Sequence, residues 1–247
     1  MSSTPAGPDF GRLAAAYDRV RPVDENWRRI YELIVSRAGL RAARVLDVGC
    51  GTGRLSLALA GEQAARVWGV DVSPEMLAVA RARAPGLRFK QARAEALPFK
   101  DGWFEAVLFW LVVHLLDRPA AFDEARRVLA PAGRIAVVSF HESHFDAHWL
   151  NEFFPSLEAV DRARFPTQQE LERELREAGF ISVELERLTG GMSLTREAAL
   201  DKLEQRHIST FDLLPPAEVE EGIDRARREL PETVRYSLQW LIAVAQA

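Results

Sequence analysis

The sequence predicts an α/β protein built on a parallel sheet with helices on both faces. Three observations predict it. Short branched apolar runs recur through the first 140 residues. The runs alternate with segments of helical spacing, the order of a parallel sheet packed on both sides. One run, Val45-Leu46-Asp47-Val48, opens onto Gly49-Cys50-Gly51-Thr52-Gly53, where three glycines alternate after an acid. Such a turn hands a strand over to a helix with side chains removed.

The elements follow in order. Trp27, Ile30, Tyr31, Ile34 and Val35 have helical spacing, giving a helix over 27–38. Arg44 to Val48 is the first strand, and 54–60 the next helix. Arg66 to Val70 is the second strand and ends at Asp71. Ser73 caps a helix with Pro74 in its first turn. Strands follow at 87–89, 104–108 and 134–140, with a helix at 119–129 stopped by Pro131 and Gly133. In the second half a helix is expected over 149–160. Thr167 with Glu170 forms a capping box for a helix over 168–178, ended by Gly179. Strands are expected at 181–188 and 234–244, with helices near 196–207 and 216–230. No linker divides the chain, so 1–247 reads as one domain. Its core covers about 27–140, insertions about 141–166 and 189–233, and the last strands about 181–188 and 234–244.

Composition narrows the function. Lys and Arg number 32 against 36 Asp and Glu, a net charge of −4 that argues against a nucleic-acid partner. Cys50 is the single cysteine, so no disulfide framework forms, and a reducing cytoplasm is the expected compartment. The N-terminus shows no basic start followed by an apolar run, so no signal peptide is expected. No stretch is long and apolar enough to span a bilayer, and no membrane partner is expected.

In a parallel sheet, ligands lie beyond the carboxyl ends of the strands. That directs attention to Asp47–Gly53, Asp71, Ala92–Glu95, Phe109–Leu111 and Ser139–Glu142. The glycine turn would let a ligand approach backbone N–H groups at a helix start. A dinucleotide fingerprint would place its third glycine at position 54, which is Arg54. Asp47, two residues before the first glycine, suits a cationic ligand group better than a pyrophosphate. Asp71 could hold two ribose hydroxyls in either ligand class.

Four stretches in order carry a resemblance. They are Val45–Gly53, Val67–Leu77, Ala94–Phe99 and Val128–Arg134. Together they resemble the motifs of class I S-adenosylmethionine-dependent methyltransferases, in the small-molecule branch of ubiquinone/menaquinone-biosynthesis-type enzymes. The likeness covers roughly residues 10–140. It implies a Rossmann-like seven-stranded fold of order 3-2-1-4-5-7-6, with strand seven antiparallel and helical lid insertions. It implies S-adenosylmethionine as cofactor. On that likeness Gly49 and Gly51 pass beneath the cofactor's amino-acid part, and Asp47 orients its ammonium. Asp71 holds the ribose, Met76 packs on the adenine, and Ala94 offers its N–H to the adenine edge. Phe109 lines the methionine end. Tyr17 and Arg21 belong to an arm folding over the cofactor. Arg93 stands where the family commonly has Asp. That leaves the adenine amino group to stacking by Arg93, to Glu95 or to a backbone carbonyl. Glu105 also departs from the usual Asp and reads as structural.

Methyl transfer needs alignment more than acid–base machinery. His114 and His141 are the candidate catalytic residues, as a base or as walls of the site; a packed histidine is the other reading of each. His141, Glu142, His144, Asp146 and His148 have spacings that could gather a metal, but a polar loop beside a pocket explains them and none is expected. Trp110, Trp149, Phe153 and Phe154 either line an apolar pocket or pack in a core. The expected partner is a small-molecule acceptor, partly apolar, methylated on oxygen or carbon. A homodimer is left open. Two alternatives share the cofactor motifs: another reaction on the same fold, and a non-catalytic cofactor-binding protein.

Overall fold

The computed structural model describes residues 14, 17–21, 23–146 and 148–247. The N-terminal stretch behind the signal-peptide expectation lies outside them, as do Ala16 and Pro22 of the arm.

Seven strands form one sheet: β1 (Arg44–Val48), β2 (Arg66–Asp71), β3 (Arg88–Gln91), β4 (Phe104–Trp110), β5 (Leu129–Phe140), β6 (Ile181–Thr195) and β7 (Thr233–Gln246). Their order is β3-β2-β1-β4-β5-β7-β6, and only β7 runs against its neighbours. Alternate residues explain why both faces are dry. Leu46 and Val48 of β1, with Val107 and Phe109 of β4, enter a cluster with Phe122 and Leu175. Val45, with Ala106 and Leu108, enters another with Ile30, Tyr31 and Leu59. A strand buried on both sides reads as a continuous apolar run, as the sequence shows.

Nine α-helices are described: α1 (Tyr17–Val20), α2 (Glu25–Ala38), α3 (Arg54–Gln63), α4 (Pro74–Arg83), α5 (Arg118–Val128), α6 (Leu157–Arg164), α7 (Gln168–Glu177), α8 (Arg196–Glu204) and α9 (Pro216–Glu229). The caps are made as the residues dictate. Ser73 accepts from the Met76 N–H, and Thr167 and Glu170 complete a capping box.

Two expectations need correction. The single helix over 149–160 is divided: a 3₁₀ turn covers Trp149–Glu152, and α6 begins only at Leu157. Pro155 lies between them, lacking the N–H that a continuing helix needs. The last two strands are also longer than their apolar cores. Pairing continues from Ile181–Gln246 out to Thr195–Thr233, so residues 189–195 belong to β6. The polar outer half of this ribbon hid it from an apolar pattern. The segment joining β6 to β7, together with residues 141–165, builds a third apolar cluster around Phe154, Leu203, Phe211 and Val219.

Candidate active site

At the carboxyl end of β1 the chain turns through Gly49, Gly51 and Gly53, with φ of 70°, 52° and 73°. All three lie in the left-handed region that a Cβ disfavours. The amides of Gly49 and Cys50 donate to the Val70 carbonyl at 2.8 and 3.0 Å, and that of Gly53 to the Cys50 carbonyl. The Gly51 N–H donates to Asp71 Oδ2 at 2.9 Å. These amides are therefore engaged within the protein, which corrects the expectation that they await a ligand. What the loop offers is room. A Cβ on Gly51 would meet nothing within 4 Å, whereas one on Gly49 would lie 2.5 Å from Val112 Cγ2.

Asp47 and Asp71 flank this room. Asp47 is 1% exposed and accepts from Ser56 Oγ at 2.6 Å. Burial, aided by the nearby Asp71 charge, pushes its carboxyl up to about 7. A buried acid in that state gains from a cationic ligand group. Asp71 is likewise raised by burial, against the Ser73 and Gly51 N–H groups that each bond one of its oxygens.

The arm closes the loop from above. Asp18 in α1 accepts from Thr52 Oγ1 at 2.9 Å and forms short ion pairs with Arg54 and Arg83. The Arg21 guanidinium donates to the His207 carbonyl at 2.9 Å and to Tyr17 Oη at 3.3 Å. Sequence reading named Tyr17 and Arg21 but missed Asp18. Its partners lie 34 to 65 positions away, and no local signal links them.

Above the loop lies a chamber of about 250 Å³. A single water needs only about 10–15 Å³, so this is space for a ligand. Tyr17, Arg21, Asp47, Gly49 and Gly51 all line it. Its far wall is a run of rings. His114 stacks on Phe165 at 4.0 Å, Phe140 on His144 at 4.1 Å, and His148 meets Tyr236 at 5.7 Å. Burial holds all four chamber histidines below the usual imidazole value: His144 to about 3, His148 to about 4, and His114 and His207 well down. Burial also pushes Tyr236 up to about 12. The ring wall is therefore uncharged at pH 7, while Arg21, Asp24, Arg54, Asp161 and Lys202 also line the chamber. Within the ring wall His114 Nδ1, His144 Nδ1 and Trp240 Nε1 have no hydrogen-bond partner among the described residues.

The remaining candidates fall elsewhere. His141 does not line the chamber; its Nδ1 accepts from the Ser143 N–H and caps a 3₁₀ turn. The Phe109 side chain is fully buried against Phe122 under the sheet, and Trp110 and Leu111 face the chamber instead. Strand alternation sends neighbouring side chains to opposite faces. Met76 is buried in a small cluster with Ala14 and Tyr17, beneath the arm. Ala94 is buried in the core. Glu95 accepts from the Asp117 N–H at 3.1 Å and pairs with Arg93, which is largely exposed and stacks on nothing described. Trp149 reaches the chamber, while Phe153 and Phe154 pack in the third cluster. Glu105 pairs with Arg44 at 2.7 Å, a structural use. No group of three or more metal-ligating side chains is assembled among the described residues.

The comparisons with known proteins point to one family. The sequence model of the methyltransferase domain family matches residues 45–133. A demethylmenaquinone methyltransferase of Thermus thermophilus is 42% identical over 53% of this chain and 64% of its own, so the chain spans under two thirds of that relative. A malonyl-[acyl-carrier protein] O-methyltransferase of Geobacter sulfurreducens is 38% identical over 71% of this chain and 70% of its own. In three dimensions the chain superposes on a crystal structure assigned as a methyltransferase of an antibiotic-biosynthesis pathway in Anabaena variabilis. The TM-score is 0.69 at 24% identity, covering 87% of this chain and 96% of that one. Strand order, glycine turn, buried acids and these relatives converge: the chain belongs to the class I S-adenosylmethionine-dependent methyltransferases.

Proposed function

We propose that the protein transfers a methyl group from S-adenosylmethionine to a small, partly apolar acceptor, on oxygen or carbon. The observation that carries this is the ring-walled chamber continuous with the glycine loop. When bound, S-adenosylmethionine supplies a methyl already activated on a sulfonium sulfur. The chain's own residues bind, orient and exclude water. Gly51 leaves space for the cofactor's amino-acid part. Asp47 faces the ammonium, and Asp71, fixed by two backbone N–H groups, presents its outer lone pairs to the ribose. Tyr17 and Arg21, which line the chamber, cover the nucleoside. The segments after β5 and between β6 and β7 act as the lid. They are tied together by Arg164, which bonds Asp161 and Thr210, each at 2.8 Å. A dry chamber strengthens every polar contact to the reacting groups.

Calorimetric titration with S-adenosylhomocysteine tests the reading. Micromolar binding is expected, and Asp71→Ala should weaken it by roughly 1.5–3 kcal/mol, the worth of hydrogen bonds to a charged acceptor. Methyl-labelled S-adenosylmethionine with small-molecule extracts would then report the acceptor. Absence of binding by the wild-type protein would end the proposal.

A further inference from the structure

Two chamber histidines have opposite tautomers fixed by their backbone neighbours. His207 Nδ1 lies 2.9 Å from the Lys202 carbonyl, which can only accept, so Nδ1 carries the proton. Its Nε2 is left as an acceptor. His148 Nδ1 receives the Leu150 N–H at 3.3 Å, so that nitrogen is bare and Nε2 carries the proton. Both residues line the chamber. Burial keeps both neutral at pH 7, reinforced at His207 by the Lys202 and Arg21 charges and, weakly, by His148. The chamber therefore holds one imidazole donor and one imidazole acceptor.

We infer that His148 and His207 form a donor–acceptor pair that selects a hydroxyl group as the methyl acceptor, with His207 Nε2 receiving its proton. This rests on the methyltransferase reading above. A hydroxyl oxygen has two lone pairs and one hydrogen. One lone pair takes the His148 N–H, the hydrogen goes to His207, and the other lone pair stays for the methyl. A neutral amine that accepted from His148 would have no lone pair left to react. A carboxylate has no hydrogen for His207. In the step the oxygen–methyl bond forms as the methyl–sulfur bond breaks with its electron pair going to sulfur. The O–H bond breaks, and the proton passes to His207 Nε2. One positive charge leaves the sulfonium and one appears on the imidazole, so no net charge is created in the chamber. His207 thus touches the reacting atoms, while His148 aims the oxygen.

Two measurements test the pair. Long-range ¹⁵N–¹H correlation on the full chain, assigned through His148→Gln and His207→Gln, should show His207 protonated at Nδ1 and His148 at Nε2. The reverse pattern, or rapid exchange at either ring, would overturn the inference. Calorimetry on wild-type protein saturated with S-adenosylhomocysteine then uses phenol and anisole as probes. Phenol, which both accepts and donates, should bind about tenfold tighter than anisole, which only accepts. Equal affinities, or no phenol binding, would count against the pair while leaving cofactor binding intact. Failure to bind S-adenosylhomocysteine would instead strike the functional reading, and the tautomers would still be judged by the nitrogen spectra.

Discussion

Gly49 and Gly51 stand two residues apart, yet a methyl group on each meets a different fate. At Gly49 the new carbon would lie 2.5 Å from Val112 Cγ2 on a backbone already left-handed. Overpacking and backbone strain together should cost about 2–4 kcal/mol, so Gly49→Ala lowers the melting temperature by several degrees. At Gly51 there is open space, and only the left-handed backbone penalty of roughly 1–2 kcal/mol applies. Gly51→Ala should therefore stay folded and lose S-adenosylhomocysteine affinity at least tenfold. Thermal unfolding and calorimetry on the two variants separate the roles. Tight binding by Gly51→Ala would show that nothing passes over that residue.

At the scale of elements, one carboxylate of α1 ties it to the glycine loop. Asp18 joins Thr52 at the loop, Arg54 at the head of α3 and Arg83 at the end of α4. Burial already lowers both guanidinium values, so removing their shared partner leaves two half-buried cations facing each other. Asp18→Asn should free the arm. Amide hydrogen exchange over residues 17–21 should accelerate, and S-adenosylhomocysteine should dissociate about tenfold faster, a change of roughly 1.4 kcal/mol. Exchange in β1 and β4 should not change. An arm as protected as before would mean that the Arg19–Asp201 pair and the Arg21 bond to the His207 carbonyl suffice to hold it.

The whole molecule carries its chamber as a pH liability. His114, His144, His148 and His207 are held down by burial, so each must shed a proton to fold below about pH 6.5, the ordinary imidazole value. Their contribution is complete above that pH and is lost as acid approaches the folded values. Asp47 works the other way: raised to about 7, it adds stability as pH falls from 7 toward the ordinary carboxyl range, and Asp71 and Asp161 lean the same way. Each histidine changes stability by up to about 1.4 kcal/mol per pH unit between roughly pH 6 and 5, so four outweigh Asp47 there. The denaturant midpoint should fall clearly from pH 7 to pH 5, and His144→Phe should flatten that slope. A midpoint rising with acid would show that the carboxyls dominate.

By itself the sequence determined the parallel core, the glycine turn and the acids Asp47 and Asp71. Those features are local: a strand buried on both faces reads as an apolar run, and three left-handed positions in one turn favour glycine. Helix caps at Ser73 and Thr167 were legible for the same reason. Tertiary structure alone decided which residues meet above the loop. Asp18 finds Arg83 across 65 positions, and His148 and His207 share one chamber although they stand 59 positions apart. It also decided which side of a strand end faces the chamber, favouring Trp110 over Phe109, and gave His141 to a cap while His207 lined the chamber. The physical reason is range. Propensity and periodicity act over a few residues, whereas a chamber is set by how distant segments pack, and packing leaves no trace in spacing.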